Sequence, residues 1–288
     1  SGVCERCKGG RVHNVVRYRC VQDSLAASAI VAAEAAVNGM LRSYRDNVDR
    51  IVVPSRFFLE KFVEWGWPRA LFRYVPNWLD ATRVEADPRP GDYFLYLGRL
   101  APEKGVATLV EAAKRAGVRL AVAGDGPTRP ALEALAAGAG DRIELLGFRS
   151  GDELARIVRG ARAVVAPSEW YENAPLSVLE ALAAGKPLIG SRIGGIPELV
   201  DEGRSGWLYP AGDVDALAGL LSKVAATPDA TLAAMGREGR ARVERDFARQ
   251  GYVDAMLALY AELGVRMPHP AQPASTDRRA ASPGAGKL

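Results

Sequence analysis

Between Tyr93 and Ser191, short apolar runs alternate with longer segments in which apolar residues return every three or four positions. The runs are YFLYLG (93–98), VRLAVAG (118–124), RIELLG (142–147), RAVVAPS (162–168) and KPLIGS (186–191), most of them bounded by Gly or Pro. The helix-period segments fall at 103–116, 128–138, 151–160 and 175–184. Strands without polar alternation are buried on both faces, and strands separated by ten or more helical residues pair in parallel. The pattern predicts a doubly wound parallel α/β domain over 78–247.

The flanks are less regular. DRIVVPS (49–55) reads as another buried strand, followed by a helix over 55–66 with Ser55 as its N-cap. FRYVPNWLD (72–80) ends in a Pro-Asn turn, and ADPRPGD (86–92) reads as a linker. One strand and two helices do not close a sheet core, so residues 1–77 are expected to be the tail of an incomplete amino-terminal α/β domain. Downstream, 213–225 and 228–246 are amphipathic helices, and 248–265 carries a last helix over 248–264. Residues 266–288, rich in Pro, Ala, Ser and charge, are expected to be disordered.

Composition narrows the class. The chain has 288 residues, long for one domain and short for two full α/β domains. With 48% apolar and 25% charged residues it is ordinary globular material. A membrane span needs roughly 18 to 20 apolar residues. The nearest run, 25–41, carries Glu34 and Asn38 and reads as a helix in water. A formal charge of +4 is too small to indicate nucleic acid; it suits an anionic small ligand or a membrane-adjacent acceptor equally well. The expected location is cytoplasmic, with the inner face of the membrane as the alternative. The chain opens on Ser1 with no methionine and no signal-peptide pattern, as a fragment would. Cys4, Cys7 and Cys20 with His13 between them resemble zinc spacing in part, but the intervals do not match a closed four-ligand site, so reduced thiols and no metal are expected, with a metal site as the alternative.

Ligands of a doubly wound sheet bind at the carboxyl ends of its strands. There the first strand gives LGRLAPEKG (97–105): Gly98 permits a sharp turn, and Arg99 and Lys104 are placed to meet phosphate oxygens near a helix start. An ordinary loop with solvated charges has the same composition. AGDGP (123–127) ends the second strand; Gly124 and Gly126 leave the backbone bare, Asp125 caps or turns it, and Pro127 is placed to begin the next helix. In the stretch EWYENAPLSVLEALAAGKP (169–187) two acids, Glu172 and Glu180, bracket an apolar, Pro-containing segment. Glu172 lies on the loop after the strand, Asn173 is expected to cap the helix, and the amides near Ala174, Leu176 and Ser177 are left free. That helix start carries roughly half a positive charge, a seat for an anion. Glu180 follows Pro175 by five residues, about 7 to 8 Å along the axis. Two carboxylates flanking an anion seat suit the hydroxyl-rich ends of one extended ligand.

GRLAPEKG, GDGP and the Glu172–Glu180 pair followed by ALAAGKPLIGS resemble, in order, the nucleotide-sugar half of the retaining GT-B glycosyltransferases of family 4. VPNWLD resembles that family's interdomain turn, and the Cys4–Cys20 segment resembles one in the amino-terminal domain of some members. The resemblance covers Cys4 to about Gly264. It implies a GT-B fold: a complete carboxyl-terminal Rossmann-like domain beside a partial amino-terminal one. It implies that Arg99 and Lys104 neutralise the donor diphosphate in place of a metal, and that Glu180 holds the ribose hydroxyls. Glu172 would contact the transferred sugar, amides around Leu176 and Ser177 would complete the phosphate cradle, and Phe148 and Arg149 would lie beside the base. The resemblance also implies that the family's first strands would precede Ser1, and they are expected to be missing from this chain.

The expected activity is hexosyl transfer from a nucleoside-diphosphate sugar to a hydroxyl acceptor (a glycan, a lipid-linked sugar or a small molecule) with retention, no metal and no cofactor. A sugar phosphorylase or epimerase could use the same cleft, and a shortened chain or inactive partner could bind the nucleotide without turnover. Donor binding with little or no transfer is expected of this chain alone.

Overall fold

The computed structural model describes residues 3–265, so the disorder expected for 266–288 lies outside the described residues. Six strands form one parallel sheet: β3 (Tyr93–Leu97), β4 (Leu120–Ala123), β5 (Ile143–Gly147), β6 (Ala161–Ala166), β7 (Leu188–Ser191) and β8 (Gly206–Tyr209). Their order, β5-β4-β3-β6-β7-β8, reverses direction between β3 and β6. This is the doubly wound Rossmann arrangement, whose crevice opens where the order reverses.

Successive side chains of each strand enter opposite cores, as the pleat requires. Phe94 and Tyr96 of β3 pack with Ala163, Val165 and Ile189, whereas Leu95 packs with Val164 and Leu188. The first face is covered by α5 (Val106–Ala116), α6 (Arg129–Ala136) and α9 (Val214–Ala225). The second is covered by α7 (Gly151–Arg159), α8 (Leu176–Ala183) and the end of α10 (Asp229–Asp246). In α5 the buried residues Val106, Leu109, Val110 and Ala113 recur at helical spacing.

The amino-terminal part holds more than the sequence pattern indicated. Around α1 (His13–Arg17), α2 (Leu25–Met40), α3 (Ser43–Asn47) and α4 (Arg56–Glu64), two strands pair in parallel: β1 (Ile51–Val53) and β2 (Phe72–Tyr74). Val53, Leu59, Leu71 and Phe72 form a small core beneath them. Ser55 caps α4 as expected, accepting from the Phe58 amide at 3.3 Å. Cys4 and Cys20 are exposed free thiols, and burial followed by the neighbouring Cys20 and Cys4 pushes the half-buried Cys7 thiol up. Among the described residues no group of three or more His, Cys, Asp or Glu could hold a metal ion, and no helix is long and apolar enough to cross a membrane.

The two parts are tied together. The Arg56 and Phe57 amides at the start of α4 donate to the two oxygens of Glu198 at 2.9 and 2.6 Å. The last helix, α11 (Arg249–Glu262), ends at Glu262, which pairs with both Arg50 and Arg73. Under the linker, Lys186 is fully buried and its Nζ donates to the Arg89 carbonyl at 2.7 Å.

Burial pushes the Lys186 ammonium down to about 8. A lysine in the unfolded chain keeps its proton to about pH 10.4. Between these values the unfolded state binds the extra proton, so this group makes stability rise with pH across that window. Chemical denaturation from pH 7.5 to 10.5 should show a difference between the parent and Lys186→Met that changes with pH in that direction. Two curves that stay parallel would refute the titration of Lys186.

Candidate active site

The crevice at the switch point is built from the loops that leave β3 and β6. Gly98 follows β3 with φ +148°, and an added Cβ would stand 3.0 Å from the Tyr96 hydroxyl. That hydroxyl donates to the Arg99 carbonyl at 2.8 Å and fixes the turn. The helix expected over 103–116 is broken: Pro102–Lys104 is a 3-10 turn, Gly105 follows at φ +65°, and α5 begins at Val106. A Cβ on Gly105 would fall 2.0 Å from the Pro167 carbonyl oxygen, so the β3 loop lies hard against the β6 loop. Lys104 therefore projects from the turn before the helix. Its Nζ lies 2.6 Å from Glu172 Oε1, and Ser168 Oγ donates to the same oxygen at 2.6 Å.

The Glu172 loop departs from expectation at Asn173. Asn173 does not cap α8; Pro175 occupies the cap position, and no side chain caps the helix there. Asn173 Oδ1 instead accepts from Ser55 Oγ at 2.7 Å, binding the loop to the amino-terminal part. Asn77 Nδ2 donates to the Ala174 carbonyl at 2.9 Å and holds the next residue. Among the described residues the amides of Leu176 and Ser177 donate to no protein acceptor. Donors left free at a helix start are a ready seat for an anion.

One cavity of about 440 Å³ is lined by Gly98, Arg99, Lys104, Glu172 and Ser177. A second, of about 410 Å³, lies on the other side of Arg99 and is lined by Gly98, Gly124, Phe148, Arg149 and again Ser177. Phe148 is exposed, and Arg149 pairs with Glu153 at 3.0 Å. Arg99 is exposed and pairs with Glu103. Both cations of the crevice are thus held by carboxylates on its wall. Pro127 does not begin α6: the helix starts at Arg129 with Pro130 in its first turn, and Asp125 Oδ1 accepts from the Gly126 amide at 2.7 Å.

Leu176 and Glu180 line neither cavity and are exposed. Glu180 lies one turn beyond Ser177 on the same helical face. Among the described residues its carboxylate has no hydrogen-bond or ion-pair partner, and although the residue is exposed, the protein around it desolvates the carboxylate in part and pushes its pKa up. An acid with a raised folded pKa loses stability as pH rises from its unfolded value, about 4.3, through the folded one. Glu180→Gln should remove that loss, so its stability relative to the parent should improve as pH rises from 4 to 7. Urea titrations at both ends of that range measure it. A pH-independent difference would mean that Glu180 is solvated as an ordinary glutamate.

Several contributors had only weak marks in the sequence. Ser168 belongs to the PSEWYEN stretch but carried no assigned part. Gly194 and Gly195 admit the Glu172 loop: a Cβ on Gly194 would lie 2.5 Å from the Glu172 amide nitrogen, and one on Gly195 would lie 1.8 Å from the Asn173 carbonyl oxygen. Their adjacency in RIGGIPE was the available signal.

Residues 82–242 match the family described as glycosyl transferases group 1. Glycogen synthase of Mycobacterium tuberculosis is 34% identical over 239 residues, covering 78% of this chain and 57% of the relative. Among solved structures, sucrose-phosphate synthase from Thermosynechococcus elongatus aligns with a TM-score of 0.72 and 26% identity over 87% of this chain and 65% of its own. Anabaena HepE in complex with UDP-glucose gives 0.68 at 19% identity, covering 84% and 69%, a likeness of fold. The chain spans from about a third to just over half the length of such curated relatives, 34% of one and 57% of another. With more than half of its residues matched in one continuous block, the chain belongs to glycosyl transferases group 1.

Proposed function

We propose that this crevice binds a nucleoside-diphosphate sugar and transfers its hexosyl group to a hydroxyl acceptor with retention of configuration and without a metal. One observation carries the reading: Lys104, Arg99 and Ser177 line one cavity with Glu172 at the switch point, and the amides at that helix start donate to no protein acceptor among the described residues. Negative charge develops on the departing diphosphate, and preorganised cations and amides oppose it where it forms. Lys104 would exchange its contact with Glu172 for a phosphate oxygen, which frees Glu172 to accept from hydroxyls of the sugar. Glu180 would accept from the ribose hydroxyls, and the cavity of Phe148 and Arg149 would take the base.

In the transfer, the bond from the anomeric carbon to phosphate oxygen breaks and the bond to acceptor oxygen forms on the same face. The acceptor proton passes to the leaving phosphate. The acceptor approaches from the side of the amino-terminal part, which Asn173 and Ser55 hold against the Glu172 loop. A cytoplasmic enzyme working at the inner face of a membrane fits this chemistry.

Calorimetry with UDP, GDP and ADP in the presence of a chelator tests donor binding, and product analysis with the matching sugar nucleotide tests transfer. At least one nucleotide should bind with chelator present; a strict metal requirement would overturn the metal-free reading. Sugar 1-phosphate formed from inorganic phosphate would indicate a phosphorylase, a changed sugar without acceptor an epimerase, and binding without turnover either a binding role or the weak transfer expected of this chain alone.

A further inference from the structure

Beside the donor crevice lies a second kind of cavity, of about 260 Å³, with walls formed by the rings of Phe58, Phe62, Trp65, Trp67, Trp170 and Tyr171. Trp170 and Tyr171 also line the donor crevice and immediately precede Glu172, so the two spaces share a wall next to the Lys104–Glu172 pair. Trp170 is 44% exposed. A charged group is set into the aromatic wall: Glu5 Oε1 accepts from Lys61 Nζ at 2.7 Å and from the Tyr171 hydroxyl at 2.6 Å. The same Lys61 Nζ lies 5.2 Å from the Tyr171 ring centroid and 5.9 Å from that of Phe57.

We propose that this cavity is the acceptor subsite and that it takes one ring of a saccharide. A pyranose offers an apolar C–H face to an aromatic ring and hydroxyls around its rim to a carboxylate, an ammonium and a phenol. The cavity supplies both. Its size is below the roughly 300 Å³ at which pockets for drug-sized molecules begin, which suits a single ring. An alkyl chain would fill the space but strip water from the Glu5–Lys61 pair and give it nothing in return. Saccharide hydroxyls can hydrogen-bond to that pair instead. The proposal rests on the donor reading above for its direction: a ring seated here puts a hydroxyl beside the sugar that Glu172 would hold.

Saturation-transfer NMR on the whole chain, with saturating UDP, tests this using methyl glycosides of glucose, galactose, mannose and N-acetylglucosamine, with hexanol as the alkyl probe. At least one glycoside should bind saturably. Cys4→Trp, which fills the cavity from an exposed wall position, should abolish that binding by occupying the space, and Glu5→Gln, which keeps its shape, should weaken it by about tenfold or more, the weight of one hydrogen bond to a charged group. UDP affinity in the same samples reports folding of each variant. Saturation by hexanol alone, or glycoside binding that survives both substitutions, would overturn the subsite. UDP binding without any glycoside binding would also overturn it and leave the donor reading intact. Glycoside binding without binding of UDP, GDP or ADP would do the reverse.

Discussion

Gly124→Ala is expected to lower the melting temperature and to abolish detectable nucleotide binding. Gly124 follows β4, and its amide donates to the Gly147 carbonyl at 2.8 Å. The Gly98 amide in turn donates to the Ala123 carbonyl at 3.0 Å, so the ends of β3, β4 and β5 are interlocked by backbone contacts alone. A Cβ at Gly124 would stand 1.8 Å from the Gly98 carbonyl oxygen, with φ at +152°. The backbone conformation costs about 1 to 3 kcal/mol for a residue with a side chain, and forcing atoms into a packed site costs about 1 to 3 kcal/mol more. Against a net stability of about 5 to 15 kcal/mol, the sum is a large fraction. If the chain stays folded, it does so by moving the Gly98 turn, which carries Arg99 and leads to Lys104. Calorimetric binding and thermal unfolding measure the two consequences. A variant with the parent's melting temperature and nucleotide affinity would show that the two loops are free to separate.

The sheet was legible where burial on both faces made the chain uniformly apolar. YFLYLG and RAVVAPS could hardly be anything else, RIELLG keeps an apolar run although β5 lies at the sheet edge with Glu144 exposed, and the helices between them carry their cores at regular spacing. The strands that escaped notice are short and compositionally mixed. β8 is Gly206–Tyr209, and its glycine reads as part of the turn before it. A Cβ there would lie 2.1 Å from the Leu188 carbonyl oxygen, so close pairing with β7 requires what looks like a strand breaker. β2 is three residues with Arg73 at its centre. Pattern reading also fails for contacts between distant side chains. Asn173 follows the rule for a helix cap, yet it is drawn to Ser55, 118 residues away, and Pro175 is left at the cap position. The loop residues Gly98, Arg99, Lys104, Glu172 and Ser177 could be assigned to one edge of the sheet from topology. That Lys104 and Glu172 would touch each other, and that Glu180 would stand outside both cavities, could not.

That contact sets up the last expected result. Lys104→Ala should weaken nucleoside diphosphate binding roughly ten- to a hundredfold, the loss of one hydrogen bond between charged groups, and leave the nucleoside nearly untouched. Glu172→Gln should behave in the opposite sense toward the same ligand. Lys104 Nζ lies 2.6 Å from Glu172 Oε1, so a phosphate must draw the ammonium away from a carboxylate that also accepts from Ser168 Oγ. With glutamine that competition weakens, and affinity for the bare nucleoside diphosphate should hold or increase. Sugar transfer should nevertheless fall steeply, because a neutral amide accepts sugar hydroxyls less strongly than a carboxylate. The double variant completes the cycle: once Lys104 is gone, Glu172→Gln should no longer improve diphosphate binding, except by relieving repulsion between the carboxylate and the phosphates. Calorimetry on the four proteins with uridine and UDP, or with whichever nucleotide binds, separates these effects. Equal losses of nucleoside and diphosphate affinity in Lys104→Ala would indicate that the lysine holds the loop in shape. A Glu172→Gln variant that binds the diphosphate more weakly than the parent would sink the exchange of partners on which the proposed mechanism depends.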